Sequence, residues 1–322
     1  MSLNFGSLTN ALATKTQLDL GCDFAFLSSL MSYSPKKCPN LNCQSHFLAV
    51  GSFIKKGHFK IKRLQQKIRK FQCKSCLKVF SSRTFKLDFR HKKMDLNKKL
   101  IRLLVEGNSI RGASRILGMT YFNTYKKFLW LKTVVDIEKN KLKYSAKELQ
   151  FDEMETIHHT KCKPLSIALV VNEAYEILEA KVAEMPAKGK LAQFSVKKYG
   201  ARKDQRNEKM HEAFQSVKAK LRNFPSIIKS DANPSYQKIV SAHFPETQYL
   251  QFNQAEKRRR LDRLHEKLSK RNFDPLFAVN HKCALLRSHI KRLTRRSWCT
   301  TKKPENLQLH LDLFIISQEI ST

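Results

Sequence analysis

The chain has 322 residues, and its 62 lysines and arginines against 27 aspartates and glutamates give a formal net charge of +35 at pH 7. This excess of positive charge exceeds what solubility requires and predicts a polyanionic partner, most simply nucleic acid. Hydrophobic residues make up 41% of the chain and recur in periodic runs, which excludes an intrinsically disordered protein. The sequence predicts neither a membrane span nor a signal peptide, because it lacks a long uncharged apolar run and a basic segment leading into one.

Residues 1–30 carry few charges and no strong period, and we assign them to an N-terminal tail. Residues 31–93 contain two predicted strands, 53–61 and 68–72, and two closely spaced cysteine pairs: Cys38, Cys43, Cys73 and Cys76. Four thiolates on turns at strand ends are typical of a closed tetrahedral zinc site, so we predict a zinc ribbon. The alternative is four unpaired structural cysteines. His46 and His58 could replace a thiolate but are otherwise surface histidines.

Residues 94–135 show three helical patterns separated by glycines. Gly107 is a predicted C-cap, and Ser109 and Thr120 are predicted N-caps of the second and third helices. A short helix, a glycine turn and a capped helix indicate a helix-turn-helix DNA reader, with Lys126 and Lys127 on its DNA-facing surface. The alternative is an ordinary helical hairpin whose lysines are merely solvated. The charged residues 136–148 are predicted to form a linker.

Residues 149–322 are predicted to form an α/β domain with a mixed sheet, because strand and helix periods alternate along them. A three-stranded meander is predicted first, with turns at 161–163 and 172–173, followed by a basic loop, a helix, a strand, a helix and a strand. The predicted ranges are 149–157, 164–171 and 174–182 for the meander, then 197–203, 204–222, 226–230, 234–240 and 248–252.

Two aspartates, Asp152 and Asp231, are predicted to end the first and fourth strands of this sheet. Each alone would suit a strand-ending or helix-capping role. Acids are scarce in this chain, however, and two carboxylates on neighbouring strand ends can hold divalent cations roughly 4 Å apart, the arrangement that catalyses phosphoryl transfer. We therefore treat the pair as a candidate catalytic centre.

The last third of the chain is predicted to be helical and basic. A basic helix is expected over 255–271, a proline-initiated helix over 274–298 and a closing helix over 307–320. The middle helix carries five basic residues that we predict to bind phosphates: Arg287, Lys291, Arg292, Arg295 and Arg296. The alternative is a solvated basic face.

The whole layout resembles the transposases of bacterial insertion sequences, most closely the insertion-sequence-one-like group, over about residues 35–318. The most specific motif is Leu-Arg-x-x-Ile-Lys-Arg-Leu-x-Arg-Arg-x-x-Cys at 286–299. The resemblance implies an RNase H-like catalytic domain of the DDE type, with Asp152 and Asp231 as the first two catalytic acids. Where the family has a third acid this chain has Asn280. Glu256 and Glu266 are alternative third ligands, and His281 and Glu153 are candidate assisting residues.

The activity implied by this resemblance is binding of the terminal inverted repeats of an insertion element, followed by DNA cleavage and strand transfer with two Mg²⁺ ions. A dimer or larger assembly on double-stranded DNA is expected, in the cytoplasm at the bacterial nucleoid. The rival hypothesis is a non-enzymatic DNA-binding regulator in which the residues after 149 are a degenerate catalytic domain.

Overall fold

The computed structural model of the chain describes residues 33–47, 52–62, 65–252, 274–294 and 299–321. The tail predicted at 1–30 and the basic helix predicted at 255–271 lie outside these ranges. The chain divides into two compact units, Met1–Lys93 with Gln318–Thr322, and Met94–Ser317. None of the described helices is long and apolar enough to cross a bilayer.

The first unit is built on a three-stranded antiparallel sheet in the order β1-β2-β3. Phe71 and Phe80 are buried at its centre, and their rings lie 6.1 Å apart. The two strands predicted from the sequence are both present, and a short third strand follows the second cysteine pair. The elements are β1 (Phe53–Ile61), β2 (Gln66–Cys73), β3 (Val79–Ser81), a short helix α1 (Gln44–Phe47) and a 3-10 helix (Ser82–Phe85).

The second unit begins with three helices, α2 (Leu96–Val105), α3 (Ile110–Ile116) and α4 (Tyr121–Lys139). The predicted N-caps are confirmed: the Ser109 hydroxyl accepts from the Gly112 N–H at 3.0 Å, and the Thr120 hydroxyl accepts from the Asn123 N–H at 3.3 Å. Gly107 follows the end of α2 with φ +80°, a left-handed conformation that glycine adopts without strain.

The segment predicted as a linker, 136–148, is part of the folded unit instead. Helix α4 continues to Lys139, and Tyr144 and Ala146 are buried. The Tyr144 backbone also pairs with Leu221 in an isolated bridge. The prediction was wrong because the segment's charges suggested solvation, whereas Lys139 is paired inside the fold with Glu179 at 2.7 Å.

The core of the second unit contains a five-stranded mixed sheet, compatible with an RNase H-like domain. Its order is β6-β5-β4-β7-β8, with β4, β5 and β6 antiparallel and β7 and β8 parallel to β4. The strands are β4 (Glu148–His158), β5 (Thr160–Asn172), β6 (Ile177–Glu184), β7 (Ile227–Asp231) and β8 (Gln248–Phe252). The first hairpin turns at His159, with φ +67°, and not at 161–163 as predicted.

Helices cover both faces of the sheet. They are α5 (Leu191–Tyr199), α6 (Arg206–Lys220), α7 (Tyr236–His243), α8 (Phe277–His289) and α9 (Pro304–Ser321). Helices α6 and α7 pack on the face that carries Phe151, and α8 and α9 pack on the face that carries Met154. Helix α5 lies partly where a basic loop was predicted. The helix predicted over 274–298 ends at His289, and a 3-10 helix (Lys291–Leu293) follows.

Candidate metal centre and acidic cleft

The four predicted zinc ligands converge at one point of the first unit. The sulfurs of Cys38, Cys43, Cys73 and Cys76 all lie within 4.8 Å of one another. The Cys38 and Cys76 sulfurs are 3.5 Å apart, and those of Cys43 and Cys73 are 3.8 Å apart. A tetrahedral zinc with bonds of about 2.3 Å to sulfur requires separations of about 3.8 Å. This cluster could therefore bind zinc.

Burial and backbone hydrogen bonds shift the pKa values of the four thiols in opposite directions. The Asn40 N–H donates to the Cys38 sulfur at 3.5 Å, yet burial raises the pKa of Cys38 and of Cys43. Burial opposes ionisation of Cys73, but hydrogen bonds, the largest from the Cys76 backbone, lower the pKa of Cys73 to about 6. His46, considered as a substitute ligand, has its Nδ1 2.6 Å from the Cys38 carbonyl oxygen, and His58 is exposed on β1. Among the described residues, the cluster contains the four cysteines and neither histidine.

The two predicted catalytic acids, Asp152 and Asp231, lie at the same level on adjacent parallel strands. The last paired residues of β4 and β7 are Gln150 and Lys229, and each aspartate is two residues further along its own strand. Neighbouring strands are about 4.8 Å apart, so this register places the two backbones side by side. Asp231 ends β7 as predicted, but Asp152 is in the middle of β4, where it pairs with Leu169 of β5.

Both aspartates belong to the face of the sheet that α8 covers. Side chains alternate between faces along a strand, so Glu148, Gln150 and Asp152 share one face of β4. Lys229, two residues before Asp231, reaches Glu148 with an ion pair of 2.6 Å, which puts it on this same face. The two carboxylates therefore share the face on which α8 packs.

The pKa values of the two carboxyl groups show that their negative charges are crowded and poorly solvated. Burial, and after it the neighbouring charges of Asp231 and Glu153, raise the pKa of Asp152 to about 6. Burial also raises the pKa of Asp231. The Asp231 Oδ1 atom is buried and, within the described part of the chain, has no hydrogen-bond partner. A cation would relieve both conditions, because it favours the ionised form and supplies the missing partner.

A cleft of about 350 Å³ opens over Asp152. Residues of β4 and α8 line it: Asp152, Glu153, Met154, Glu155, Asn280, Cys283 and Arg287. Asn280, the predicted third ligand, and Arg287, a predicted phosphate-binding residue, are thus in the same cleft as Asp152. Asp231 is beside this cleft, on the adjacent strand, and is not part of its lining.

Two side chains that the sequence analysis did not single out position Asn280. The Gln150 side chain accepts from the Val279 N–H at 3.2 Å and donates to the Pro275 carbonyl at 3.2 Å, so it ties the start of α8 to β4. Asp274 accepts from the Asn280 Nδ2 atom at 2.8 Å, which leaves the amide oxygen of Asn280 for another partner. The available signal for Gln150 was a glutamine between the apolar Leu149 and Phe151, two residues before Asp152.

The other candidate catalytic residues do not direct a carboxylate or imidazole at Asp152, or are outside the described residues. Glu153 lines the cleft, but its carboxylate accepts from the Ser166 hydroxyl at 3.0 Å and is 4.0 Å from Arg206 of α6, on the opposite face from Asp152. His281 is exposed and stacks on Phe277 with ring centroids 5.7 Å apart. Glu256 and Glu266 are outside the described residues.

The predicted DNA-binding side chains separate into exposed and buried groups. Lys126 is exposed, with its ammonium 4.4 Å from the centre of the Phe122 ring, and Lys291 is exposed too. Lys127, in contrast, is buried and donates to the Asn97 side-chain oxygen at 2.5 Å, so its place on an exposed surface was wrongly predicted. Burial lowers the pKa of Arg292. Arg295 and Arg296 are outside the described residues.

No protein family model and no curated protein matches the chain. Among solved structures, one match is a chain in the cryo-EM structure of the simian T-cell lymphotropic virus intasome in complex with PP2A regulatory subunit B56 gamma. The two are 13% identical, the match covers 58% of this chain and 64% of that one, and the TM-score is 0.18. The chain thus matches less than two thirds of the viral structure's chain, and a similarity at this score carries no argument about function.

Proposed function

We propose that the protein is a divalent-metal-dependent DNA transposase, which cleaves DNA and joins the freed end to a target. The observation that carries the proposal is the shared level of Asp152 and Asp231 on adjacent parallel strands, with Asn280 and Asp152 lining one cleft. Carboxylate and amide oxygens are the ligands that Mg²⁺ prefers. The net charge of +35 favours a polyanionic substrate for such a site.

Asp152 and Asp231 would hold the catalytic cations, and the amide oxygen of Asn280 would complete the site. Bound Mg²⁺ would activate a water or a DNA 3′-hydroxyl and stabilise the charge that develops on the phosphate. Arg287, in the wall of the same cleft, would bind the phosphate that is attacked. Gln150 and Asp274 would keep Asn280 in place while DNA enters the cleft.

Helices α2 to α4 and the cysteine-bearing unit would recruit the DNA, as a helix-turn-helix and a zinc ribbon. Gly107, next to the end of α2, supports a fixed link to the catalytic helix, because a Cβ there would meet the His289 carbonyl oxygen of α8 at 3.0 Å. The His289 Nδ1 atom is also 3.2 Å from the Val105 carbonyl oxygen. The DNA bound by α4 would thus have a fixed position relative to α8. Joining two element ends requires a dimer or a larger assembly.

A nicking and end-joining assay tests the proposal. The substrate is a plasmid that carries the DNA flanking the gene, including any inverted repeats. We expect Mg²⁺-dependent nicks at the repeat ends with the wild-type protein and no nicks with Asp152→Asn. Specific binding to the repeats without any metal-dependent nicking would instead favour the non-enzymatic DNA-binding regulator.

A further inference from the structure

The connection between β6 and α6 has an unusual composition and an unusual helix. Residues 185–203, which we name the basic platform, contain six lysines and arginines and no acid. Within them α5 buries a single residue, Ser195. Its apolar side chains are exposed instead, Phe194 by 52% and Val196 by 54%. A short helix that leaves its apolar residues in solvent next to lysines is typical of a binding surface.

Hydrogen bonds fix the basic platform to the edge of the sheet. The Ser195 hydroxyl donates to the Cys162 carbonyl of β5 at 2.6 Å. The Arg202 guanidinium donates to the Pro164 and Met185 carbonyls at 3.0 and 3.1 Å, and its side chain is only 10% exposed. The exposed side chains are therefore carried on a preorganised support, which lowers the entropy cost of binding a ligand.

Ammonium groups lie near two aromatic rings of α5, the exposed Phe194 and the partly buried Tyr199. Lys163 places its Nζ 4.3 Å from the centre of the Tyr199 ring, and Lys198 places its Nζ 5.5 Å from the same centre. Lys198 is also 5.7 Å from the Phe194 ring centre. Exposed rings for base stacking, with cations beside them for phosphates, are the pairing used by surfaces that bind single-stranded nucleic acid.

The basic platform is adjacent to the acidic cleft. Lys188, before α5, forms an ion pair of 2.6 Å with Glu155. Glu155 is itself one of the residues that line the cleft with Asp152 and Asn280. One residue of the cleft lining thus contacts the platform, so a strand bound there would pass near the cleft.

We propose that the basic platform binds an unpaired DNA strand next to the cleavage site. Phe194 would stack on a base, and Lys197 and Lys198 would contact the phosphates. A second copy of this chain is a poorer occupant, because two surfaces of a protein with a net charge of +35 repel each other. The inference rests on the proposed function for the identity of the strand, but the binding surface is tested without catalysis.

The platform is tested by measuring how tightly a fluorescent single-stranded oligonucleotide binds the full chain. Fluorescence anisotropy without Mg²⁺ gives the Kd. Phe194→Ala should raise the Kd for single-stranded DNA about tenfold and change the Kd for the matching duplex much less. Lys197→Glu with Lys198→Glu should reduce the salt dependence of single-strand binding. The matched controls are Phe224→Ala, an exposed ring 5.6 Å from the Lys218 ammonium, and Lys238→Glu on α7.

Equal single-strand affinities for Phe194→Ala and Phe224→Ala would overturn the inference. A changed oligomeric state in sedimentation, without a change in DNA affinity, would overturn it too and assign the surface to protein contact. The two proposals fail separately. If Phe194→Ala weakens single-strand binding while the wild-type protein never nicks, the platform stands and the transposase does not. If the wild type nicks DNA and Phe194→Ala binds single-stranded DNA with normal affinity, the transposase proposal stands and the platform proposal fails.

Discussion

The Gln150 side chain of β4 accepts a hydrogen bond from the Val279 N–H of α8 at 3.2 Å. Gln150 is two residues before Asp152 in β4, and Val279 is the residue before Asn280 in α8. Through this contact a buried glutamine sets the position of the third candidate ligand relative to the first. The contact also explains why a polar residue is buried between the apolar Leu149 and Phe151. The cleft is therefore formed by β4 and α8 together.

Replacing Gln150 should therefore disturb the metal site more than the fold. Gln150→Met removes the hydrogen bonds to Val279 and Pro275, and we expect a loss of stability of about 1–3 kcal/mol. We also expect a higher Mg²⁺ concentration for half-maximal nicking, which a structural role alone would not produce. Gln248→Met, at an exposed position of β8, is the control and should leave the Mg²⁺ requirement unchanged. An unchanged requirement in Gln150→Met would rule out the positioning role.

The four-cysteine cluster should contain one zinc ion per chain, measured by elemental analysis of the purified protein. Zinc binding in small modules contributes on the order of 10 kcal/mol to folding at neutral pH. Cys73→Ser should therefore lose the zinc and unfold the first unit, which proteolysis would detect. Cys299→Ser, at an exposed cysteine outside the cluster, should retain it. Wild-type protein free of zinc after metal-replete expression would contradict the assignment.

Lys126 and Lys127 are adjacent in sequence but should respond differently to substitution. Exposed Lys126, if it contacts a phosphate, contributes one released counterion, so Lys126→Met should reduce the slope of log K against log salt by about one. Lys127→Met instead leaves Asn97 without its buried donor, and we expect a lower midpoint in urea unfolding with little change in salt slope. Identical behaviour of the two variants in both assays would refute this division.

Glu179 should stabilise the second unit in a pH-dependent way. It is fully buried and accepts from the ammonium groups of Lys139 and Lys220 at 2.7 and 2.8 Å. Burial alone would raise the pKa of Glu179, but these lysines lower it from 4.5 to about 2. A lowered carboxyl pKa means that the stabilisation is complete above pH 4.5 and is lost as the pH falls towards 2.

Glu179→Gln should therefore cost about 3–5 kcal/mol at neutral pH, because it leaves the buried Lys220 without its carboxylate, whereas Lys139 keeps its ion pair with Asp312 at 2.6 Å. The penalty should shrink as the pH is lowered from 4.5, which urea unfolding at several pH values measures. Glu246→Gln, at an exposed position, should cost little at any pH. A penalty for Glu179→Gln that grows on acidification would contradict the sign of the pKa shift.

Features set by neighbouring residues could be predicted from the sequence. The caps at Ser109 and Thr120 and the strand over 149–157 depend on local chemistry, and the structure contains each of them. Two close cysteine pairs likewise indicated one cluster, because each pair needs only a tight turn.

Features set by distant partners could not be predicted. The burial of Lys127 depends on Asn97, 30 residues away, and the ion pair of the half-buried Lys139 depends on Glu179, 40 residues away. Both lysines are charged, and a charged residue whose partner is unknown is predicted to be exposed to solvent. The role of Gln150 depends in the same way on α8, which is 129 residues away at Val279.

The central claim is that Asp152 and Asp231 form one metal site, and single-turnover strand transfer on pre-nicked terminal-repeat DNA tests it most directly. Asp152→Asn and Asp231→Asn should each abolish joining while the Kd for the same DNA stays near the wild-type value, since each removes one charge from the cation site and leaves the basic surfaces intact. Asn280→Glu should retain joining and Asn280→Ala should lower it. Joining at the wild-type rate by either aspartate variant would contradict the account.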